Sequence, residues 1–110
     1  MTTDELLAIA LDHQRGGRLD EAEAAYRHIL AADPNHFVAA HRFALIAQQR
    51  GDAETALRLI AHPRSLRPDD PALNRNLAEI FRTAGRYDQA LAAARRAVEL
   101  ESAISSRTSS

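Results

Sequence analysis

The sequence predicts an all-α chain built as three stacked helix-turn-helix repeats, and a shared interval among three kinds of residue predicts it. Gly17, Gly51 and Gly85 stand 34 residues apart, Ala22, Ala56 and Ala90 keep the same interval, and so do Pro34 and Pro68. A fixed period of this length marks a repeat architecture, in which each unit buries its apolar side on its neighbour.

The elements follow in order. Thr2 with Glu5 forms a capping-box pattern, and Leu6, Ile9, Ala10 and His13 then share one face until Gly16-Gly17 ends the helix, predicting a first helix over about 3 to 16. Asp20 with Glu23 repeats the capping pattern, Ala22, Tyr26, Ile29 and Leu30 line the buried side, and Asp33-Pro34 stops a second helix over about 20 to 32. Asn35 is placed to cap a third helix carrying Phe43, Ala44 and Ala47, which Gly51 terminates. Asp52 caps a fourth with Ala56, Leu59 and Ile60. Pro63 falls inside it, where the ring removes a hydrogen bond and crowds the preceding turn, so a bend or stop near Ala61 or His62 is expected. Asp70 followed by Pro71 opens a fifth helix with Leu77, Ala78 and Phe81, closed by Gly85. The sixth is predicted from about Asp88 to Leu100, with Ala90, Ala94 and Ala97 on its buried stripe. Ser102 to Ser110 is mostly Ser and Thr without apolar periodicity, and no regular structure is expected there.

The composition is that of an ordinary globular chain: 45% of its 110 residues are hydrophobic and 26% charged, which argues against disorder throughout. No apolar run suits a membrane span or a secretory leader. Cysteine is absent, which fits a reducing compartment and removes disulfides, thiol nucleophiles and thiolate ligands. The formal net charge of -1 gives no field for holding nucleic acid or an anionic bilayer. All the positive charge is arginine, which with the abundant alanine suggests a bacterial, GC-rich source. Residues 1–36 carry seven acids against three arginines, and residues 37–110 eight against eleven, a polarity compatible with head-to-tail association or with solvated helix faces.

The string GRLDEAEAAYRHILAADPNH, with its turn glycine, small alanine, aromatic and terminal Asp-Pro-Asn, is similar to the tetratricopeptide repeat pattern, and the resemblance covers about residues 3 to 102 as three units. It implies a right-handed superhelix of helix pairs, a tetratricopeptide solenoid, with residues 1–102 as the domain, repeats near 3–36, 37–70 and 71–104, and 103–110 as a disordered tail or linker. The alanines fall where paired helices cross closely, and the glycines permit a left-handed turn. Departures are specific. Leu6, Ala40 and Asn74 stand where the family favours a bulky aromatic, His13 at another aromatic site, and Pro63 at a small-alanine site. A solenoid needs a polar last helix, and Gln89, Ala93, Ala97 and Leu100 read as too apolar, so either the array continues or two copies meet there.

By the same resemblance the first helices of successive units line a concave wall that binds a protein or peptide. Its candidate residues are Leu7, Leu11, His41, Arg42, Leu45, Gln48, Arg75, Asn76, Glu79 and Arg82, apolar at one end and basic at the other. The carboxylate clamp of some chaperone-binding members is missing, because the corresponding positions hold Leu7, Leu11, Arg42, Ala72 and Asn76. Arg42 and Asn76 still offer a donor fork and an amide, whereas Arg75, Glu79 and Arg82 also read as a plain surface ladder.

Nothing indicates catalysis. His13, His28, His36, His41 and His62 contain no i,i+4 pair and no His-Glu-x-x-His order, so no metal or other cofactor is expected. His13 reads as a core-edge ring bonded to backbone and His28 as surface. Gly16-Gly17 ends a helix rather than following a strand, which excludes a phosphate loop. Aromatic content of 5% leaves little surface for stacking bases. The expected function is a non-catalytic, cytoplasmic scaffold or adaptor. The alternatives are the amino-terminal array of a larger bacterial enzyme of glycosyltransferase or sulfotransferase type, and a homo-oligomerising module, for instance a homodimer through the C-terminal helix.

Overall fold

The fold is known from a computed structural model, which describes residues 1–108, with side chains through Ile104. Six helices follow one another: α1 (Thr3–Arg15), α2 (Leu19–Ala32), α3 (Phe37–Gln49), α4 (Ala53–Leu66), α5 (Pro71–Thr83) and α6 (Tyr87–Thr108). Among the described residues there is no strand. The helices pair as three hairpins and stack into a solenoid measuring 39 × 38 × 24 Å.

The three hairpin turns share one geometry. Gly17, Gly51 and Gly85 have φ of 77°, 80° and 77°, and the residue after each donates its N–H five positions back: Arg18 to His13 O, Asp52 to Ala47 O and Arg86 to Phe81 O, at 2.8–2.9 Å. A Cβ on any of the three would meet nothing within 4 Å. Backbone angle, not crowding, therefore requires glycine there.

Three predicted caps are present. Thr2 and Glu5 form the reciprocal box, Asp52 accepts from Thr55 N, and Asp70 accepts from Leu73 N with Pro71 at the first helical position. Two are elsewhere. The first residue of α2 is Leu19, because the turn delivers the chain directly into the helix; Asp20 and Glu23 lie inside its first turns and bind Arg50, the residue at the end of α3, instead. Asn35 does not cap α3; His36 does, through Nδ1 accepting from Ala39 N at 3.2 Å.

Pro63 neither stops nor shortens α4, which continues to Leu66. The Leu59 carbonyl loses one donor, but the ring is fully buried. Beyond it Ser65 Oγ donates to His62 O at 2.6 Å and Arg67 N to Pro63 O at 3.0 Å. His62 Nε2 lies 2.9 Å from Pro34 O, fastening this last turn to the loop before α3.

The interior is two apolar clusters. One joins Ala10, Ala22, Ala25, Tyr26 and Ile29 of the first hairpin to Ala39 and Ile46 of α3. The other joins Phe37, Ala44 and Ala47 of α3 to Ala56, Ile60, Leu73, Leu77, Ile80 and Ala93. Ala22 and Ala56 are completely buried; Ala90, with no hairpin packed beyond α6 among the described residues, is half-buried. Asn74 is buried in place of an aromatic and donates its amide to Pro68 O and Asp70 O, holding the loop that leads into α5.

Two expectations about the end of the chain need correction. Ser102 onward was expected to lack regular structure, yet α6 runs to Thr108, since no glycine or proline interrupts it and Glu101 is ion-paired to Arg75 of α5. Ser109 and Ser110 lie outside the described residues. Ala93, read as part of an uncovered outer face, and Ala97, read both there and on the buried stripe, are buried against α5, whereas Ala94, expected on the buried stripe, is only half-buried; the outward face carries Tyr87, Leu91 and Val98, 67%, 52% and 63% exposed.

Candidate partner-binding cleft

The first helix of each hairpin contributes to one cleft of about 410 Å³, lined by Leu11, Gln14 and Arg15 of α1, Arg42, Leu45, Gln48 and Gln49 of α3, and Asn76 and Glu79 of α5. The 34-residue register explains the lining. Leu11, Leu45 and Glu79 occupy one repeat position, Gln14 and Gln48 another, and Arg42 and Asn76 a third. Equivalent helices bring equivalent positions to one surface.

Hydrogen bonds fix much of the wall. The buried Tyr26 hydroxyl donates to Gln14 Oε1 at 2.6 Å, and Gln14 Nε2 donates to Gln49 Oε1 at 2.7 Å and Arg42 O at 3.2 Å. Burial pushes the Tyr26 phenol up to about 12, against the opposing pull of Arg42 and Arg15. It is a permanent donor here. Thr83 Oγ1 donates to Glu79 O at 2.9 Å and accepts from Gln48 Nε2 at 2.9 Å. That orients the Gln48 amide, whose Oε1 is buried without a partner among the described residues. A buried acceptor left in this state is unfavourable until a donor arrives.

His41, expected on the solvent side, is only 5% exposed. It stacks at a tilt on Phe37, 5.6 Å between ring centres, and Nε2 lies 2.9 Å from Asn76 Nδ2. Burial, and secondarily Arg42, lower its pKa, with Asp70 opposing. The neutral ring accepts from Asn76, so His41 positions a wall residue rather than forming the wall.

Six of the ten candidates therefore line the cleft: Leu11, Arg42, Leu45, Gln48, Asn76 and Glu79. Leu7 packs against the first apolar cluster. Arg75 turns to Glu101, and Arg82 pairs with Glu79 at 2.7 Å, lowering the Glu79 pKa, so the expected three-residue ladder is broken. Gln14, Arg15 and Gln49 were not anticipated; for Gln14, its place one period before Gln48 was the available signal. Neither Arg15 nor Arg42 has its guanidinium in an ion pair among the described residues. His13, expected to bond backbone, instead accepts at Nδ1 from Arg18 Nε at 2.9 Å. Among the described residues no helix is long and apolar enough to cross a membrane.

A family profile described as tetratricopeptide repeat matches residues 7–36 and 76–104, more than half the chain. Solved structures repeat the architecture. A crystal structure of MamA superposes with a TM-score of 0.84 at 14% identity, over 96% of this chain and 61% of that one. The type III secretion translocator chaperone SycD of Yersinia enterocolitica gives 0.85 at 18%, over 98% and 86%. An O-GlcNAc transferase mutant of Thermobaculum terrenum gives 0.85 at 24%, over 89% of this chain and 19% of that one. At these identities the likeness is one of fold. The chain spans 55–61% of the length of four MamA chains it matches and 72% of a MamA R50E mutant. No curated protein matches the sequence.

Proposed function

The chain belongs to the tetratricopeptide repeat family, and from that premise we propose that it is a non-catalytic, cytoplasmic adaptor that holds an extended peptide segment of a partner protein in the cleft across α1, α3 and α5. The observation that carries this reading is the set of unspent groups on one wall: the Arg15 and Arg42 guanidiniums, the Gln48 Oε1 acceptor, and the apolar Leu11 and Leu45 between them. The complementary ligand has an apolar side chain beside a carboxylate, with a backbone N–H reaching Gln48. Charge-assisted bonds to arginine supply orientation, and the leucines supply burial.

Fluorescence anisotropy tests this with labelled nine-residue peptides that carry a central leucine flanked either by glutamates or by glutamines. The glutamate peptide is expected to bind more tightly, and Arg42→Ala to weaken it roughly tenfold or more. Equal affinities for native protein and an Arg42→Ala/Asn76→Ala variant remove the cleft from consideration.

A second reading, favoured by the superposition on the O-GlcNAc transferase, is a repeat segment that presents substrate to a catalytic part of a larger protein. The gene sequence downstream of Ser110 separates the two: a long continuation with catalytic residues supports the enzyme, and an immediate stop supports the adaptor.

A further inference from the structure

The outward face of α6 is an apolar stripe with heptad spacing. Tyr87, Leu91, Ala94 and Val98 follow at intervals of four, three and four, which puts them within one narrow sector of the helix. On this face α2 and α4 each receive the next hairpin. Those two helices end after 14 residues and fold back, whereas α6 continues as one helix for 22, so up to Thr108 the chain itself does not return to cover the stripe. Nor does the opposite end of a second molecule suit it. Where α3 and α5 turn Ile46 and Ile80 toward the apolar interior, the equivalent residue of α1 is Asp12, already paired with Arg18.

We propose that the stripe is a self-association surface, on which α6 packs antiparallel against α6 of a second copy with Leu91 opposite the second copy's Ala94 and Tyr87 opposite its Val98. This register is chosen by charge. Asp88 and Arg95 flank the stripe on the same edge, both are exposed, and no ion pair among the described residues engages either. With Leu91 facing Ala94, Asp88 of each copy comes level with Arg95 of the other to within about 3 Å along the axis, at 1.5 Å per residue. Two symmetric ion pairs form. Sliding by one heptad in either direction places Arg95 against Arg95 or Asp88 against Asp88, and a parallel arrangement puts alanines opposite both charges. Leucine against alanine and tyrosine against valine also alternate large with small. A single helix pair buries less than the ~1,200 Å² of a standard interface, so the dimer is expected to be weak, half formed between roughly 10 μM and 1 mM.

Sedimentation over that concentration range is expected to show the mass rising from 12.1 kDa toward twice that value. Leu91→Glu should leave helical circular dichroism and the melting temperature unchanged and keep the protein monomeric. Asp88→Arg or Arg95→Asp alone should weaken association about tenfold or more, and the two together should restore it. Because the chain has no cysteine, a mixture of Leu91→Cys and Ala94→Cys chains should form a cross-linked heterodimer under mild oxidation faster than either chain cross-links to itself. A constant 12.1 kDa up to about 1 mM overturns the proposal, as does failure of the double charge reversal to recover association or equal cross-linking in all mixtures. The groove reading is untouched by either result, since α6 contributes nothing to the cleft.

Discussion

The two junctions between successive hairpins have the same backbone register and are held by a different balance of forces. Where α2 meets α3, Arg50 bridges Asp20 at 2.6 Å and Glu23 at 2.7 Å, and the Arg27 guanidinium lies 5.3 Å from the centre of the Phe43 ring. Where α4 meets α5, the place of Arg50 is taken by Ala84, the nearest ion pair is Arg86 with Glu54 at 3.5 Å, and the contact is made by Ile60, Leu73, Leu77 and Ile80, all 2% exposed or less. The period fixes where a junction falls. What binds it is free to vary: both junctions close on an apolar centre, and the first adds a charged clamp at its rim.

Truncating the equivalent pair Leu77 and Phe43 tests this contrast most sharply. Leu77→Ala is expected to cost about 2–5 kcal/mol in urea unfolding, and Phe43→Ala, from a half-buried site, clearly less; the reverse ranking would break the comparison. Tyr26→Phe leaves Gln14 Oε1 without its donor behind the first junction and is expected to cost about 1–3 kcal/mol. Gly51→Ala forces a side chain into the left-handed turn common to all hairpins and is expected to cost about 1–2 kcal/mol, with Gly17→Ala and Gly85→Ala alike. The smallest effects are those of pH. His41, which meets Asn76 across the second junction, has a folded pKa below its ordinary 6.5, so its contribution is whole above 6.5 and lost as pH falls toward the folded value. Glu23, at the first junction, is lowered from 4.5 by its bonds to Arg27 and then Arg50, so its contribution is whole above 4.5 and lost below. Thermal melts from pH 7.5 to 3 should show both losses, with His41→Gln removing the upper one and Arg50→Gln reducing the lower.

The fold was legible where one residue type answers one backbone demand. Gly17, Gly51 and Gly85 announce positive φ, and Thr2, Asp52 and Asp70 each supply an acceptor at a helix start. Asp20 misled because a capping pattern reads the same one turn inside a helix as at its end, and only the turn geometry locates the start. Pro63 misled for a related reason: the rule counts its missing donor, while the burial that keeps the helix intact is tertiary. At the cleft, periodicity found the positions common to the three first helices but could not separate His41 from Arg42. Adjacent residues differ by 100° around the axis, and which of them points inward depends on Asn76 of the next hairpin. Gln14 is fixed by Tyr26, a partner on a different helix that no local pattern reveals.

Helix α3 lends Ala39 and Ile46 to one apolar cluster and Phe37, Ala44 and Ala47 to the other, so it is a party wall between two rooms. A molecule divided in this way has no seam at its middle, since opening either room exposes a side of the same partition. It should come apart from its ends inward, and hydrogen exchange should be slowest in the amides of that central helix.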